Sequence, residues 1–214
     1  MFENKEVIFL EGIDGSGKTS VYNFLQSNSK NLFFKNYPKP CKDLLTITKK
    51  TNPEASLFLF LADLKMGEED IDHYLNSVNK GAVITDRSWL STLAYQKETL
   101  SKKLYEIEVN KRKVYIEDTD KDVYPFVENY CFNSCLIPDV VILFDIDPKT
   151  AIKRCIDRSG GKGTPRPEDI NFLSRVRNNY KKYSNHPAFK MEIINTSSMK
   201  LEKVIDRVVK IIAG

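Results

Sequence analysis

The chain has 214 residues, with 33 Lys and Arg against 29 Asp and Glu and a formal net charge of +4. That length suits one large α/β domain or two small ones at about 150 residues per domain, and the charge is too slight for a protein that coats nucleic-acid phosphates along a groove. A hydrophobic content of 41% with 29% charged residues is that of an ordinary folded chain, and the longest apolar runs, Leu57 to Ala62 and Val140 to Phe144, fall far short of the roughly 20 residues of a membrane helix.

The first element in chain order is a strand, Val7-Ile8-Phe9-Leu10, a continuous apolar run that ends at Glu11-Gly12 and so reads as buried on both faces of a parallel sheet. Similar runs follow at Asn31–Asn36, Ala82–Thr85, Val140–Asp145 and Met191–Ile194. Between them the apolar period becomes helical at Val21, Phe24 and Leu25, at Ile71, Tyr74, Leu75 and Val78, and at Ala151, Ile152 and Cys155. Leu201, Val204, Ile205, Val208 and Ile212 keep that spacing to the end of the chain. Alternating strand and helix predicts a five-stranded parallel sheet in a three-layer α/β fold, with helices on both faces. Ligands in such folds sit beyond the carboxyl ends of the strands.

No repeat, low-complexity tract or long Pro/Gly/Ser linker divides the sequence, so a single domain over 1–214 is expected. The N-terminal MFENKEVIFLEG lacks a signal-peptide pattern, and an intracellular, cytoplasmic setting with reduced thiols follows as an expectation. Cys131 and Cys135 lie one helical turn apart, but His73 and His186 are the sole histidines and neither is near them. The pair reads as small hydrophobes on one helix face rather than zinc ligands.

The first strand leads into Gly12-Ile13-Asp14-Gly15-Ser16-Gly17-Lys18-Thr19 and Ser20, a full match to the phosphate loop G-x-x-x-x-G-K-[ST] in its required place between strand and helix. Glycines allow turns that a Cβ blocks, and exposed N–H groups at the helix start surround phosphate oxygens. The expected assignments are Gly12 to Ser20 as the ATP site, Lys18 on the β- and γ-phosphates, and Thr19 on Mg²⁺. The third strand ends in Asp86-Arg87. An Asp there can hold Mg²⁺ through water, and an adjacent Arg can clamp a phosphate with its planar fork.

The phosphate loop EGIDGSGKTS, the segment LFLFLAD at 57–63 and DR..LS.LAYQ at 86–96 together resemble the thymidylate kinase family. Pro138-Asp139 before VVILFDIDP, the basic stretch from Lys153 to Arg166, and Phe172 to Tyr180 extend the resemblance to most of the chain. The exception is about 100–137, which shows a helical pattern and an acidic insert, Glu117-Asp118-Thr119-Asp120. The resemblance implies a P-loop nucleoside monophosphate kinase that moves the γ-phosphoryl group of ATP to the 5′-phosphate of dTMP or a related deoxynucleotide. It implies that Asp14 reaches toward the acceptor and that Arg87 holds its phosphate, with Tyr37 near it. Phe60 would stack on the base, with core packing as the plain alternative. Tyr95 would face the 2′ edge of the sugar, and Ser91 and Thr92 the polar edge of the base.

Relatives are commonly homodimers, for which the apolar stretches at Leu57–Leu64 and Leu90–Leu93 would supply the interface. A lid is expected at about 154–168, where Ser159 to Pro167 has the Gly/Pro composition of a hinged flap. Some relatives carry an arginine where this loop has Gly15, so the lid would supply that charge, through Arg158 first and Arg166 second. Between Lys149 and Lys182, ten Lys and Arg face three Asp and Glu, a local +7 that suits a screen for nucleotide phosphates. For Lys153, Arg154, Arg175 and Arg177 a solvated face fits as well.

Leu64 stands where the family usually has a thymine-binding arginine, Ser88 where it has Tyr, and Asn36 where an acceptor-binding Arg is common, with Lys35 and Lys39 nearby. Loss of one charged hydrogen bond is worth about 1.5–3 kcal/mol of base discrimination. A deoxynucleoside kinase is the nearest alternative, but it needs a base for a 5′-hydroxyl, and after the second strand no acid occurs until Asp43. An NTP-dependent switch or nucleic-acid-binding ATPase would need effector segments for which the chain has little room.

Overall fold

A computed structural model describes residues 5–29, 32–35, 53–100, 104–109, 112–117, 123–160 and 167–213. Strand β1 (Lys5–Glu11) leads into helix α1 (Lys18–Asn28), followed by β2 (Leu32–Lys35), α2 (Pro53–Ser77), β3 (Gly81–Asp86) and α3 (Trp89–Leu100). After β4 (Leu104–Val109) and β5 (Arg112–Glu117) come α4 (Val123–Ser134), β6 (Val140–Asp145), α5 (Pro148–Arg158), α6 (Pro167–Lys181), β7 (Lys190–Asn195) and α7 (Leu201–Ala213).

The five apolar runs read as strands are the five strands of the main sheet, in the order β2-β3-β1-β6-β7 and parallel at every pairing. Because successive strand residues face opposite ways, β1 feeds two cores. Val7 and Phe9 join Val141 and Leu143 under α2, α3, α4 and α6, while Ile8 and Leu10 join Ile142 and Phe144 under α1 and α7. Each fully buried side chain of this kind stabilises the fold by roughly 1.5–3 kcal/mol. The resulting three layers leave β1 central, so its carboxyl end, with β3 beside it and β6 on the other side, becomes the floor of a cleft.

The stretch 100–137, read as helical, differs. Its first part is an antiparallel hairpin, with β4 and β5 paired from Leu104↔Glu117 to Val109↔Arg112, and a helix, α4, follows at Val123–Ser134. The period-two alternation of Tyr105, Ile107 and Val109 with Glu106 and Glu108 carries that signal. The acidic insert lies outside the described residues beyond Glu117. Leu90 and Leu93, expected at a two-fold interface, are fully buried in the chain's own core, because α3 packs its apolar face inward.

Helix α5 illustrates how local chemistry sets an element beside the cleft. Asp147 caps it by accepting from the Thr150 N–H at 3.0 Å, and Pro148 occupies the first turn, where its missing N–H costs nothing. Helix α1 has no side-chain cap, and its start at Gly17 (φ 96°) leaves backbone donors facing the cleft.

Candidate active site

The phosphate loop curls between β1 and α1 with Gly15 at φ +81°, and a Cβ there would collide with the carbonyl of Ala151 in α5. The close approach of α5 explains why this loop carries no side chain at position 15 and no arginine in particular. Gly12, Ile13, Ser16 and Gly17 complete the turn, with the Ser16 N–H donating to the Ile13 carbonyl at 3.2 Å. Lys18 is buried and folds back on the loop, donating from Nζ to the carbonyls of Gly12 at 2.6 Å and Ile13 at 3.2 Å. Burial pulls its pKa down to about 8, and the Arg87 charge adds to that. An anion in the loop would restore it.

Thr19 and Asp86 meet across the loop, the hydroxyl donating to Asp86 Oδ2 at 3.0 Å. The second carboxylate oxygen, Oδ1, is buried without a hydrogen-bond partner among the described residues. A hydroxyl beside a carboxylate oxygen that still lacks a partner is a hard oxygen donor set of the kind Mg²⁺ takes together with phosphate oxygens. The residues present therefore fit that ion.

Arg87, immediately after β3, has φ 76°, the sole positive φ of a non-glycine residue among those described. Such a conformation costs about 1–3 kcal/mol and persists where surrounding contacts over-determine it. Its N–H donates to the Leu10 carbonyl of β1 at 3.1 Å, its Nη2 pairs with Asp14 of the phosphate loop, and its guanidinium lies 5.4 Å from the centroid of the Tyr95 ring. The Tyr95 hydroxyl accepts from the Asp14 N–H at 3.0 Å. Asp14, Arg87 and Tyr95 are thus one cluster, which closes one end of the phosphate loop.

The remaining expected residues divide by depth. Phe60 is half-buried on α2, while Leu57, Leu61 and Leu64 of the same helix enter the core. Leu64, at the position where the resemblance implies an arginine, is thus a core residue of this helix. Ser91 and Thr92 are both 7% exposed, and the Ser91 hydroxyl donates inward to Glu11 Oε2 at 2.6 Å. Arg158 is exposed at the end of α5 and borders the space around Gly15, Gly17 and Ser20. Tyr37 and Arg166 lie outside the described residues.

A cleft of about 240 Å³ runs from the phosphate loop between α5 and α7, walled by Arg154, Arg158, Thr196, Met199, Leu201 and Val204. Beside it, a polar hollow of about 60 Å³ joins Asp14, Lys18, Thr19, Arg87 and Arg158. The last four wall residues belong to no sequence motif, although the rule that ligands sit past strand ends points to the β7–α7 turn. Arg154 braces that turn, donating from Nη2 to the Thr196 carbonyl at 2.8 Å. The basic stretch is not one screen. Arg175 pairs with Glu98, and Arg177 and Lys181 both pair with Asp145. Burial alone would raise the Asp145 pKa, but Arg177 and Lys181 outweigh it and hold the carboxyl below its ordinary value.

A phosphate loop at the end of a central parallel strand, with an Asp-Arg pair on the neighbouring strand, defines a P-loop kinase. Among solved structures, thymidylate kinase from Candida albicans has the same fold, with a TM-score of 0.70 at 20% identity over 98% of this chain and 92% of its own. Deoxyadenosine kinase from M. mycoides shares it at a TM-score of 0.64, with 17% identity over 97% and 98%. The chain belongs to the thymidylate kinase family, whose model matches residues 10–208. It is 30% identical to a probable thymidylate kinase of Methanosarcina mazei, over 97% of both chains. It is also 30% identical to a thymidylate kinase of Mycoplasmoides gallisepticum, over 96% of this chain and 92% of that one.

Proposed function

We infer that the chain transfers the γ-phosphoryl group of ATP to the 5′-phosphate of dTMP, giving dTDP. One observation carries this reading: the ion pair between Arg87 and Asp14 sets a phosphate-binding guanidinium against the loop that holds the donor. Two polyanions must be brought in line there, and little covalent chemistry is asked of the protein.

In this mechanism the acceptor phosphate displaces Asp14 as the partner of Arg87, and Asp14 turns to the acceptor. Lys18 leaves the Gly12 and Ile13 carbonyls for the β- and γ-phosphates, which supply the charge its buried site lacks. The cleft walled by Thr196, Met199, Leu201 and Val204 takes the donor's base. Arg158 reaches the transferring phosphoryl group in the arginine-finger role, from a lid spanning about 154–168 in which Arg166 is the second candidate. Tyr95 faces the sugar and Phe60 the base. Thr19 and Asp86 would hold Mg²⁺, which when bound would neutralise charge on the phosphates. No base is required for an acceptor that is already ionised, and β2 ends at Lys35, paired with Asp70, rather than in an acid.

The chain acts as a single domain, as a homodimer and in the cytoplasm. Phe58 and Met66, 50% and 55% exposed, lie two turns apart on one face of α2, and an apolar stripe of this kind suits a two-fold interface. Cys131, Cys135 and Cys155 are free thiols, as in a reducing compartment. Purified protein with Mg·ATP and each of dTMP, dUMP, dCMP, dGMP and dAMP tests the reading, with dTMP giving the highest kcat/KM. Turnover of none of the five would overturn it. Phosphorylation of thymidine instead would assign a deoxynucleoside kinase, and ATP hydrolysis stimulated by DNA without an acceptor would assign an ATPase.

A further inference from the structure

Glu11, the last residue of β1, is fully buried and has no part in the mechanism above. Its Oε1 accepts from the Ser88 hydroxyl at 2.5 Å. Its Oε2 accepts from Ser91 at 2.6 Å and from the Tyr180 hydroxyl of α6 at 3.1 Å. Ser91 and Tyr180 also lie 2.8 Å apart. A carboxylate in such a place is costly, and a well-packed apolar residue would serve stability as well or better; the preceding Val7 to Leu10 are all apolar. What the carboxylate holds therefore accounts for it better than what it contributes to the core.

What it holds is the turn that carries Arg87. The Arg87 N–H is pinned to β1 at Leu10, and the next side chain, Ser88, is pinned to β1 at Glu11, so the left-handed residue is fixed from both sides. Ser91, one helical turn further, has its Oγ both on Glu11 and 3.5 Å from Arg87 Nη1. Tyr180 brings in α6, the helix that starts at Pro167. We propose that Glu11 is a positioning residue for the acceptor: through Ser88, Ser91 and Tyr180 it locks the Arg87 turn against the phosphate loop, so that clamp and donor loop keep a fixed separation. Ser88, where the chain departs from the family's Tyr, is on this account a working member of the lock. Burial pushes the Glu11 carboxyl above its ordinary value, and the Ser88 and Ser91 hydroxyls with the Lys18 and Arg87 charges offset only part of that rise.

The inference rests on Arg87 being the acceptor clamp, and a double-mutant cycle tests it. Glu11→Gln should lower kcat/KM for dTMP by about 10- to 100-fold, the cost of a small misplacement of a binding group, with the KM for ATP much less affected. In an Arg87→Ala background the same change should alter the residual rate less than about twofold, because the effect travels through Arg87. Ser88→Ala, which leaves the carboxylate in place, should show the same dependence on Arg87 and carries the test if Glu11→Gln does not fold. Equal factors in both backgrounds, or equal losses for dTMP and ATP, would overturn the proposal while wild-type activity left the functional reading standing. A wild-type chain inert toward every monophosphate would overturn both.

Discussion

Helices α5 and α6 carry arginines from one basic stretch of sequence and use them in opposite ways. On α5, Arg158 is exposed beside the phosphate loop, and Arg154 braces the turn that walls the cleft. On α6, Arg175 and Arg177 are paired with Glu98 and Asp145, carboxylates whose side chains are only 10% and 8% exposed. The neutralising partners come from α3 and the end of β6, far off in the chain. A local charge count therefore overstates the charge left open to the cleft, and partner burial separates an arginine that faces the cleft from one that holds a helix in place.

The contrast can be broken in several ways. Lys18→Ala should abolish turnover while the chain stays folded, and retained activity would remove the phosphate-loop assignment. Arg158→Ala should lower kcat by about 10³-fold or more, the usual worth of an arginine finger, with Tm unchanged because the side chain is exposed. A normal kcat would return Arg158 to the solvated surface. Arg177→Met should do the reverse, costing about 1.5–3 kcal/mol of stability, the worth of hydrogen bonds to a charged group, in urea unfolding while kcat of the folded fraction holds. A large loss of kcat at full stability would place Arg177 in the site.

The smallest effect is a pH dependence. The Asp145 pKa is depressed in the native state, so the native state binds fewer protons than the unfolded chain between the two pKa values, and stability rises with pH there. The contribution is complete above the ordinary Asp value of about 4 and is lost as pH falls through the native one. Unfolding of wild type and Asp145→Asn should therefore differ most near neutrality and converge in acid. A gap that widens on acidification would contradict the pairing.

Much of the fold is legible in the sequence, because a parallel sheet buried on both faces writes its strands as plain apolar runs and the phosphate loop is a contiguous motif. The hairpin is less legible, because the alternation of Glu106 and Glu108 with apolar neighbours is short enough to pass for part of a helical period. Glu11 appears in the sequence only as the end of a strand, since its partners Ser88, Ser91 and Tyr180 are brought to it by the sheet order and by α6. The left-handed turn at Arg87 has no composition signal, because it is imposed by contacts to β1 rather than by a glycine. Leu90 and Leu93 look like interface residues until the packing of α3 turns them inward.

Initial rates with Mg·ATP and either dTMP or thymidine, followed by the appearance of the phosphorylated product, test the central claim most directly. The account predicts dTDP from dTMP, with no comparable phosphorylation of thymidine. Formation of dTMP from thymidine, with dTMP itself left unchanged, would contradict it.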